Sequence, residues 1–506
     1  GMVRVYLSSL GNPSTLNIAA EGSYSINGNT SLALSDGEKV TVNFSSTTGK
    51  LTITRNGVTT DMGTQFTLRR HSVSGTSGLL TAESYMASNP YPGDVRFVVD
   101  TVSSGYKLYT IAYVYIESYL YGVLPYEMGN SAPIEALKAQ AIAARTYTLR
   151  AMQSRTSAIY DVVDTTGDQV YRGTPSGNTN CKAAIDATKG IVLMNGSSLT
   201  GTFYTASNGG QTEASKNIWG GSGYSYLSVK DDPFDLANPD SVKKTATVYG
   251  DGLSGSQNAS LMTLLNAKAA SAVKAMGYDG STSVVAITKI TDITPHTPKY
   301  ADPSRLYTKM DFSLTVRTKN SAGSTVEVAA TVTCDIFCDL ESMLGMSISS
   351  SQNELWTVTK SGSDFVLTAR RYGHGVGLSQ RGAMQMGRMG YTYDQIVGFY
   401  FEGCERVQKN FTNTILSAIV SGQDSTEETT VEEAADIDDG GAPATAIVEL
   451  VSSTDLLGIR KEASATAVIL GSVPHGVPVQ VWAVKDGWAF IQYGAILGYV
   501  QSSALS

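Results

Sequence analysis

The sequence has 506 residues, of which 16% are charged, and its formal net charge is −8. This length allows one large domain with a smaller one, or several domains. No run of lysine or arginine occurs, which argues against a nucleic-acid partner because phosphate binding needs a basic surface. No uninterrupted apolar stretch approaches the ~20 residues that a membrane helix needs.

Residues 3–118 predict a series of β-strands, because apolar and polar positions alternate and Gly, Asn and Asp separate the segments. Within this region the sequence "RNGV", residues 55–58, predicts a hairpin turn.

A long alanine-rich helix is predicted from the stretch "LYGVLPYEMGNSAPIEALKAQAIAARTYTLR", residues 120–150. Ser131 and Pro133 mark its start. Its spacing places Lys138 and Arg145 on one face. Glu127 stands in a turn just before the helix, within reach of that face. From the residues alone, a solvated Glu127 and a surface Arg145 are the commoner interpretation.

Further along, short strands and Gly/Asn turns are predicted between Gln169 and Gln211. Residues 231–370 resemble an inserted subdomain, with helices in "NASLMTLLNAKAASAVKAMG" and "DIFCDLESMLGM" between strands. Thr392 and Gln395 predict a capping box for a last helix, which Gly403 ends.

The composition changes sharply near residue 421. Residues 421–444 are acidic and almost without aromatic residues, which predicts a flexible linker. Residues 445–506 consist of short predicted strands separated by turns, which favours a small all-β barrel.

Four cysteines are too few for the framework of a small disulfide-rich module. Buried free thiols are favoured for Cys181, Cys334, Cys338 and Cys404. Cys334 and Cys338 are one helical turn apart, so a metal site in which they supply half of the ligands stays an alternative.

Two long motifs resemble the stage II sporulation protein D family: "YLYGVLPYEMGNSAPIEALKAQAIAARTY" and "GHGVGLSQRGAMQMGRMGYTYDQIVGFYF". Between them "DTTGDQVYRG", "AAIDATKGIVL" and "FYTASNGGQTE" resemble the family's central blocks in the same order. The likeness covers roughly residues 3–413. It implies lytic transglycosylation of peptidoglycan, with Glu127 as the catalytic acid.

The chemistry of such a reaction explains why one carboxyl group is enough. Ordinary glycosidases need two carboxylates. A lytic transglycosylase protonates the glycosidic oxygen with one glutamic acid, which then accepts the proton of the muramoyl 6-hydroxyl. Such an acid must keep its proton near neutral pH, and partial burial by Leu124, Pro125, Tyr126 and Met128 is expected to raise its pKa.

The resemblance also implies roles for other positions. Arg145 is expected to stabilise charge or orient substrate in catalysis, and Lys138 and Tyr147 to bind substrate. Lys138 is equally compatible with a surface lysine. Further expected substrate-binding residues are Ser207, Gly209, Gly210, His374, Ser379 and Gln380. Alternatives remain: a hairpin turn at 207–210, and a histidine satisfied by loop backbone beside Ser379 as a helix cap.

The sequence departs from the family at two places, and its C-terminal part resembles a second family. Some relatives carry zinc after the "QVY" block, where this sequence has only Cys181 and no histidine, so neither a metal nor a cofactor is expected. "CDLESMLGM" lacks an arginine often seen in relatives. Residues 445–506 resemble a bacterial SH3 domain, with Tyr499 where tryptophan is usual.

These observations predict an α+β fold: a β-rich catalytic domain over residues 1–420 with a central alanine-rich helix, and a C-terminal all-β SH3-like barrel. The expected partners are peptidoglycan glycan strands, cell-wall peptide or glycan at the barrel, and a wall amidase. The alternatives are a non-catalytic amidase enhancer and a cell-wall binding protein. The expected location is extracellular or at the cell surface, with any export or anchor segment outside this sequence.

Overall fold

The computed structural model describes residues 1–71, 79–82, 89–416, 428–432, 444–450, 456–493 and 496–506. The fold is mixed α+β, with many sheets and few helices. The chain divides into two compact units: Gly1–Gly201 together with Glu405–Ser506, and Thr202–Cys404. No helix among the described residues is long and apolar enough to cross a membrane.

The first unit begins with strands that alternate buried and exposed positions; in Lys39–Ser45, for example, Val40, Val42 and Phe44 are buried. The strands up to residue 201 are β1 Met2–Tyr6, β2 Thr15–Glu21, β3 Tyr24–Ile26, β4 Asn29–Leu34, β5 Lys39–Ser45, β6 Lys50–Arg55, β7 Val58–Gly63, β8 Gln65–Arg70, β9 Leu79–Ala82, β10 Tyr91–Pro92, β11 Asp94–Val102, β12 Gly105–Tyr115, β13 Val162–Val163, β14 Ile191–Asn195 and β15 Ser198–Leu199.

Two sheets contain most of these strands, in the orders β13-β1-β12-β11-β8-β3-β4 and β10-β9-β2-β5-β6-β7. The hairpin predicted at residues 55–58 is confirmed, since Arg55 pairs with Val58 across the β6–β7 turn. Asn56 and Gly57 both have positive φ there, as such a turn requires.

The helices of the first unit are α1 Ile116–Tyr121, α2 Leu124–Glu127, α3 Ile134–Ser154 and α4 Thr179–Ala187. The predicted alanine-rich helix corresponds to α3. Its alanines at 136, 139, 141, 143 and 144 are all fully buried. A helix buried on nearly every side needs such small residues so that neighbouring elements can approach closely. Here α1, α4 and β14 pack against it.

The second unit contains the strands β16 Tyr204–Thr205, β17 Lys243–Val248, β18 Ala286–Pro298, β19 Tyr307–Lys319, β20 Thr325–Asp335, β21 Leu355–Ser361, β22 Asp364–Arg370 and β23 Leu378–Ser379. Its helices are α5 Ser215–Trp219, α6 Pro233–Ala237, α7 Ala259–Ala275, α8 Gln380–Arg388 and α9 Tyr393–Tyr400. The sheets β18-β19-β20 and β17-β22-β21 share an apolar core with α7.

Three sequence predictions in this unit have clear outcomes. The helix predicted in "NASLMTLLNAKAASAVKAMG" is α7, and the capping box of Thr392 and Gln395 starts α9. The second predicted helix is reduced to a π-helical turn, Ile336–Leu340, directly after β20. The predicted subdomain 231–370 lies within a unit that has wider bounds.

After residue 404 the chain contributes β24 Glu405–Gln408, β25 Thr412–Leu416, β26 Glu428–Glu432, β27 Ala444–Ile447, β28 Leu456–Arg460, β29 Ile469–Pro474, β30 Pro478–Lys485, β31 Trp488–Tyr493 and β32 Ile496–Gln501. The last six form one sheet, in the order β27-β30-β31-β32-β28-β29, over a core of its own. Most of the predicted linker 421–444 lies outside the described residues, but β26 pairs with β25.

Candidate active site

Glu127 is the last residue of α2 and is half-buried. Its predicted position was a turn before the long helix; instead it ends a short helix whose first turn contains Pro125. The backbone N–H of Val170 donates to Glu127 Oε1 at 2.9 Å. Leu124 and Met128 beside it are buried, whereas the side chain of Tyr126 is 45% exposed. The hydrogen bond from Val170 therefore gives the carboxyl group a defined orientation.

Three consecutive residues, Asp168, Gln169 and Val170, connect this carboxyl to the helices around it. Tyr147 on α3 donates its hydroxyl to Asp168 Oδ1 at 2.8 Å. Gln169 Oε1 accepts from the hydroxyl of Tyr119 at 3.0 Å and from that of Thr148 at 2.8 Å. We call residues 168–170 the anchoring segment, because its side chains and backbone fix α1, α2 and α3 to one another.

The hydroxyls of Tyr119 and Tyr147, which donate to the anchoring segment, stay protonated. Burial raises the pKa of Tyr119 well above its ordinary value, and the charges of Asp168 and Glu127 add to this effect. Burial and then Asp168 raise the pKa of Tyr147 in the same way. Both side chains are therefore hydrogen-bond donors throughout the physiological pH range.

Arg145 is completely buried, which differs from its predicted contact with substrate. Its guanidinium donates to both carboxylate oxygens of Glu117, at 2.9 and 2.7 Å. The carbonyl oxygen of Ile191 accepts a third hydrogen bond at 3.1 Å. Glu117 also accepts from the backbone N–H of Gly190 at 3.0 Å. Arg145 thus connects α1, α3 and the start of β14.

Lys138 lies about two turns earlier on α3 and is partly exposed. Its ammonium donates to Glu135 at 2.8 Å, an ion pair between residues one turn apart. The structure therefore places Lys138 and Arg145 in different surroundings, one at the surface and the other in the interior.

In the second unit, the carboxylate of Asp235 accepts hydrogen bonds from several of the predicted residues. It accepts from the hydroxyls of Ser207 at 3.0 Å and Ser379 at 2.6 Å, and from the backbone N–H of Gly209 at 3.2 Å. Ser379 also caps α8, as one alternative foresaw. Gln380, the first residue of α8, is buried. These contacts build a packed turn around a buried carboxylate.

The turn at 207–210 needs glycine for steric reasons. Gly209 and Gly210 have φ of +78° and +100°, a region that other residues rarely adopt. A side chain at Gly210 would also collide with Leu236, since a Cβ would lie 2.5 Å from its Cγ. Ser207 and Asn208 are fully buried. The loop is not a hairpin turn, because Ser207 pairs with Tyr372 and Gln211 pairs with Asp231.

His374 is half-buried, and backbone groups hydrogen-bond to its ring. Its Nδ1 accepts from the N–H of Val376 at 3.0 Å, and its ring also hydrogen-bonds to the backbone of Tyr204. Burial and the nearby charge of Arg371 lower the pKa of His374 to about 4. The ring is therefore neutral at physiological pH, and these contacts match the alternative of a histidine satisfied by its loop.

Three comparisons of sequence bear on the residues just described. The profile of the family described as stage II sporulation protein matches residues 104–195, which include Glu127, α3 and the anchoring segment. An amidase enhancer of Bacillus subtilis (strain 168) is 31% identical over 307 residues, covering 56% of this chain and 39% of that protein. The stage II sporulation protein D of the same organism is 30% identical over 307 residues, covering 57% of this chain and 74% of that protein.

The chain belongs to the stage II sporulation protein D family. The stage II sporulation protein D of Bacillus amyloliquefaciens is also similar, with 25% identity over 315 residues, 57% of this chain and 73% of that protein. The predicted family is thereby confirmed, whereas the SH3-like domain stays a prediction.

The predicted site residues of this family member fall into two groups. Glu127, Lys138, Arg145 and Tyr147 belong to the first unit, and the structure connects Glu127 and Tyr147 through the anchoring segment. The other predicted residues, Ser207, Gly209, Gly210, His374, Ser379 and Gln380, belong to the second unit. Sequence reasoning missed Asp168 and Gln169 as site residues, although they lie in the family-like block "DTTGDQVYRG".

No group of three or more His, Cys, Asp or Glu side chains that could hold a metal occurs in the part of the chain that the structure describes. Cys181 and Cys334 are buried, but Cys338 is exposed in the turn after β20, so its predicted burial is wrong.

Proposed function

We propose that this protein is a peptidoglycan lytic transglycosylase that cleaves the bond between N-acetylmuramic acid and N-acetylglucosamine. The observation that carries the proposal is the place of Glu127: a half-buried carboxyl at the end of α2, oriented by Val170, within the residues that match the family. The reaction forms 1,6-anhydromuramoyl ends and consumes no water.

One carboxyl group performs both proton transfers. In the acid form Glu127 carries one proton, while its Oε1 accepts the N–H of Val170. Glu127 gives this proton to the glycosidic oxygen while the bond from that oxygen to C1 of the muramoyl residue breaks. The muramoyl O6 then bonds to C1, and its proton passes to the carboxylate, which restores the acid.

The remaining residues of the first unit hold this geometry. Tyr147 and Asp168 fix the anchoring segment to α3, and Tyr119 fixes it to α1 through Gln169. In this proposal Arg145 is a positioning residue, because its charge is neutralised by Glu117 and it cannot touch substrate while fully buried. Lys138 is partly exposed and is assigned to substrate binding.

The experiment that tests the proposal is mass spectrometry of purified peptidoglycan after incubation with the protein. Products with 1,6-anhydromuramoyl ends are expected, and they must be missing with Glu127→Gln. Reducing ends in place of anhydro ends would mean hydrolysis, and unchanged peptidoglycan would remove the proposed activity.

A second candidate function is non-catalytic enhancement of a wall amidase. It is favoured by the 31% identity to a protein named amidase enhancer. Under this alternative, the protein alone leaves peptidoglycan unchanged, while it raises the rate at which a wall amidase releases stem peptides. Glu127→Gln would not alter that stimulation. A cell-wall binding protein would do neither and would only bind.

The proposal places the protein outside the cell, at the wall. Residues 445–506 are assigned to an SH3-like barrel that holds wall peptide or glycan, connected by the segment 421–444. The separate apolar core under β27–β32 supports this division.

A further inference from the structure

In the second unit, Trp219 contacts two partly buried rings, Phe203 at an interplanar angle of 36° and His374 edge-on at 60°. The ring centroids of Trp219 and Phe203 are 4.5 Å apart, and those of Trp219 and His374 are 5.1 Å apart. Trp219 is 51% exposed. Large exposed aromatic side chains are informative because tryptophan is normally well covered in a folded protein. We call Phe203, Trp219 and His374 the aromatic platform.

The aromatic platform is held rigidly from below by Glu213. This buried carboxylate accepts from Asn217 Nδ2 at 2.7 Å, which fixes α5, and pairs with the fully buried Arg371 at 3.2 Å. The backbone N–H of Glu213 donates to the carbonyl oxygen of Gly375, next to His374. One residue thus fixes both the helix that carries Trp219 and the loop that carries His374.

The exposed side of Trp219 has room and one free donor. Gly220 and Gly221 follow it, and a Cβ placed on either would meet nothing within 4 Å. The indole Nε1 makes no hydrogen bond to any described residue, and Trp219 ends α5 at the surface. An apolar face with a polar edge suits a ligand that has both characters.

A cavity of about 220 Å³ occurs in the same unit, and two of its wall residues, Leu227 and Gly377, lie next to α5 and Phe203. Its lining combines the hydroxyls of Thr212, Ser225, Tyr226 and Ser228 with the charged side chains of Lys230 and Glu402. Its wall residue Leu227 accepts a hydrogen bond from Ser215 at the start of α5. Its wall residue Gly377 has no room for a side chain, since a Cβ would lie 2.1 Å from the carbonyl oxygen of Phe203.

We propose that the aromatic platform is a glycan-binding subsite, on which the indole of Trp219 stacks against a pyranose ring of an N-acetylhexosamine. The C–H face of such a ring lies on the indole, and its hydroxyls reach Nε1. The identity of the sugar rests on the proposed function; the stacking itself does not.

The platform's rigidity and neutrality favour this ligand. A side chain that is already fixed loses little conformational entropy on binding. Most of the free energy of a weak stacking contact therefore contributes to affinity. His374 is neutral above about pH 4, so binding is expected to be constant between pH 5.5 and 8 and only weakly dependent on salt. A docking site based on charge would depend on salt strongly.

The experiment measures binding of a hexamer of β-1,4-linked N-acetylglucosamine by calorimetry and by tryptophan fluorescence. This hexamer lacks the muramoyl bond of the proposed reaction, so binding is measured without cleavage. Trp219→Ala is expected to weaken binding at least tenfold, about 1.4 kcal/mol, and Trp219→Phe to weaken it less. Leu253→Ala is the matched control, because Leu253 is also an exposed apolar residue of the second unit, at 59%.

Fluorescence keeps the test valid if Trp219→Ala fails to fold. The sequence has four tryptophans, so a ligand-induced change in emission that disappears in Trp219→Phe must come from position 219. The inference is overturned if the wild type does not bind the hexamer, or if Trp219→Ala binds it as tightly as the wild type does.

This result and the proposed activity fail separately. If the wild type makes anhydromuramoyl products and Trp219→Ala binds the hexamer normally, the proposed activity stands and the proposed subsite is refuted. If the wild type makes no such products and Trp219→Ala loses hexamer binding, the proposed subsite stands and the proposed activity is refuted.

Discussion

The backbone N–H of Val170 donates to Glu127 Oε1 at 2.9 Å across 43 positions of the chain. Asp168 and Gln169, just before Val170, are hydrogen-bonded to α3 and α1. The hydrogen bond from Val170 therefore makes the orientation of the carboxyl group depend on both helices. A carboxyl that must give and then accept a proton at fixed places gains from such an arrangement.

Glu127→Gln is expected to slow turnover strongly while glycan still binds. Glutamine keeps the size and the acceptor for Val170 but cannot give up a proton, so the rate should fall by the ~10² to 10⁴ of general acid catalysis. Anhydromuramoyl products and melting temperature are the measurements. Glu135→Gln is the control, since its ion pair with Lys138 on α3 is worth only ~0.2 to 0.5 kcal/mol. An active Glu127 variant would refute the assignment.

Glu117→Gln is expected to destabilise the fold by about 3 to 5 kcal/mol, because it leaves the buried charge of Arg145 without its partner. Urea unfolding measures this effect. Glu327→Gln is the control: its ion pair with Arg317 has both side chains about half exposed, and its loss should cost less than ~1 kcal/mol. An Arg145 variant that keeps wild-type stability yet loses activity would instead point to contact with substrate.

The neutral ring of His374 is expected to make stability depend on pH. Its folded pKa, about 4, lies below the ~6.5 of an unfolded histidine. The unfolded chain therefore binds the proton first, so this stabilisation is complete above about pH 6.5 and is lost as the pH falls toward 4.

The variant His374→Gln isolates this effect. The stability difference between wild type and variant should shrink between pH 6.5 and 4, by up to about 1.4 kcal/mol per pH unit. Denaturant unfolding at several pH values measures it. A difference that is constant over this range would show that His374 is not held neutral in the folded state.

A chelator is expected to change neither the melting temperature nor the activity. The block where some relatives bind zinc has only Cys181, which is buried, and a structural zinc contributes folding energy directly. Elemental analysis provides the second measurement. Stoichiometric zinc would contradict the prediction and direct attention to Cys334 and Cys338.

Deletion of residues 444–506 is expected to leave cleavage of soluble glycan unchanged and to weaken binding to insoluble wall. This boundary keeps β26, which pairs with β25. Sedimentation with purified wall and thermal melting are the measurements. Unfolding of the shortened chain would show that the sheet β27–β32 is needed for the stability of the rest.

Local signals predicted the parts of the fold that depend on near neighbours in the chain. The turn at Asn56 and Gly57, the capping box of Thr392 and Gln395, and α7 all depend on backbone preferences or side chains a few residues apart. The second predicted helix after β20 was shortened because Asp335 ends a strand and caps a tight turn, which a helical pattern does not reveal.

The sequence by itself determined the family and singled out Glu127, since a long motif is a contiguous pattern. Only the tertiary structure decided what that carboxyl and the neighbouring charges touch. A charged residue is normally exposed, so nothing in the sequence indicated that Arg145 is buried against Glu117, 28 positions earlier. Nor did it indicate that Asp235 collects the serines at 207 and 379. Such pairings arise because packing brings distant segments together, and a buried charge must then find its partner there.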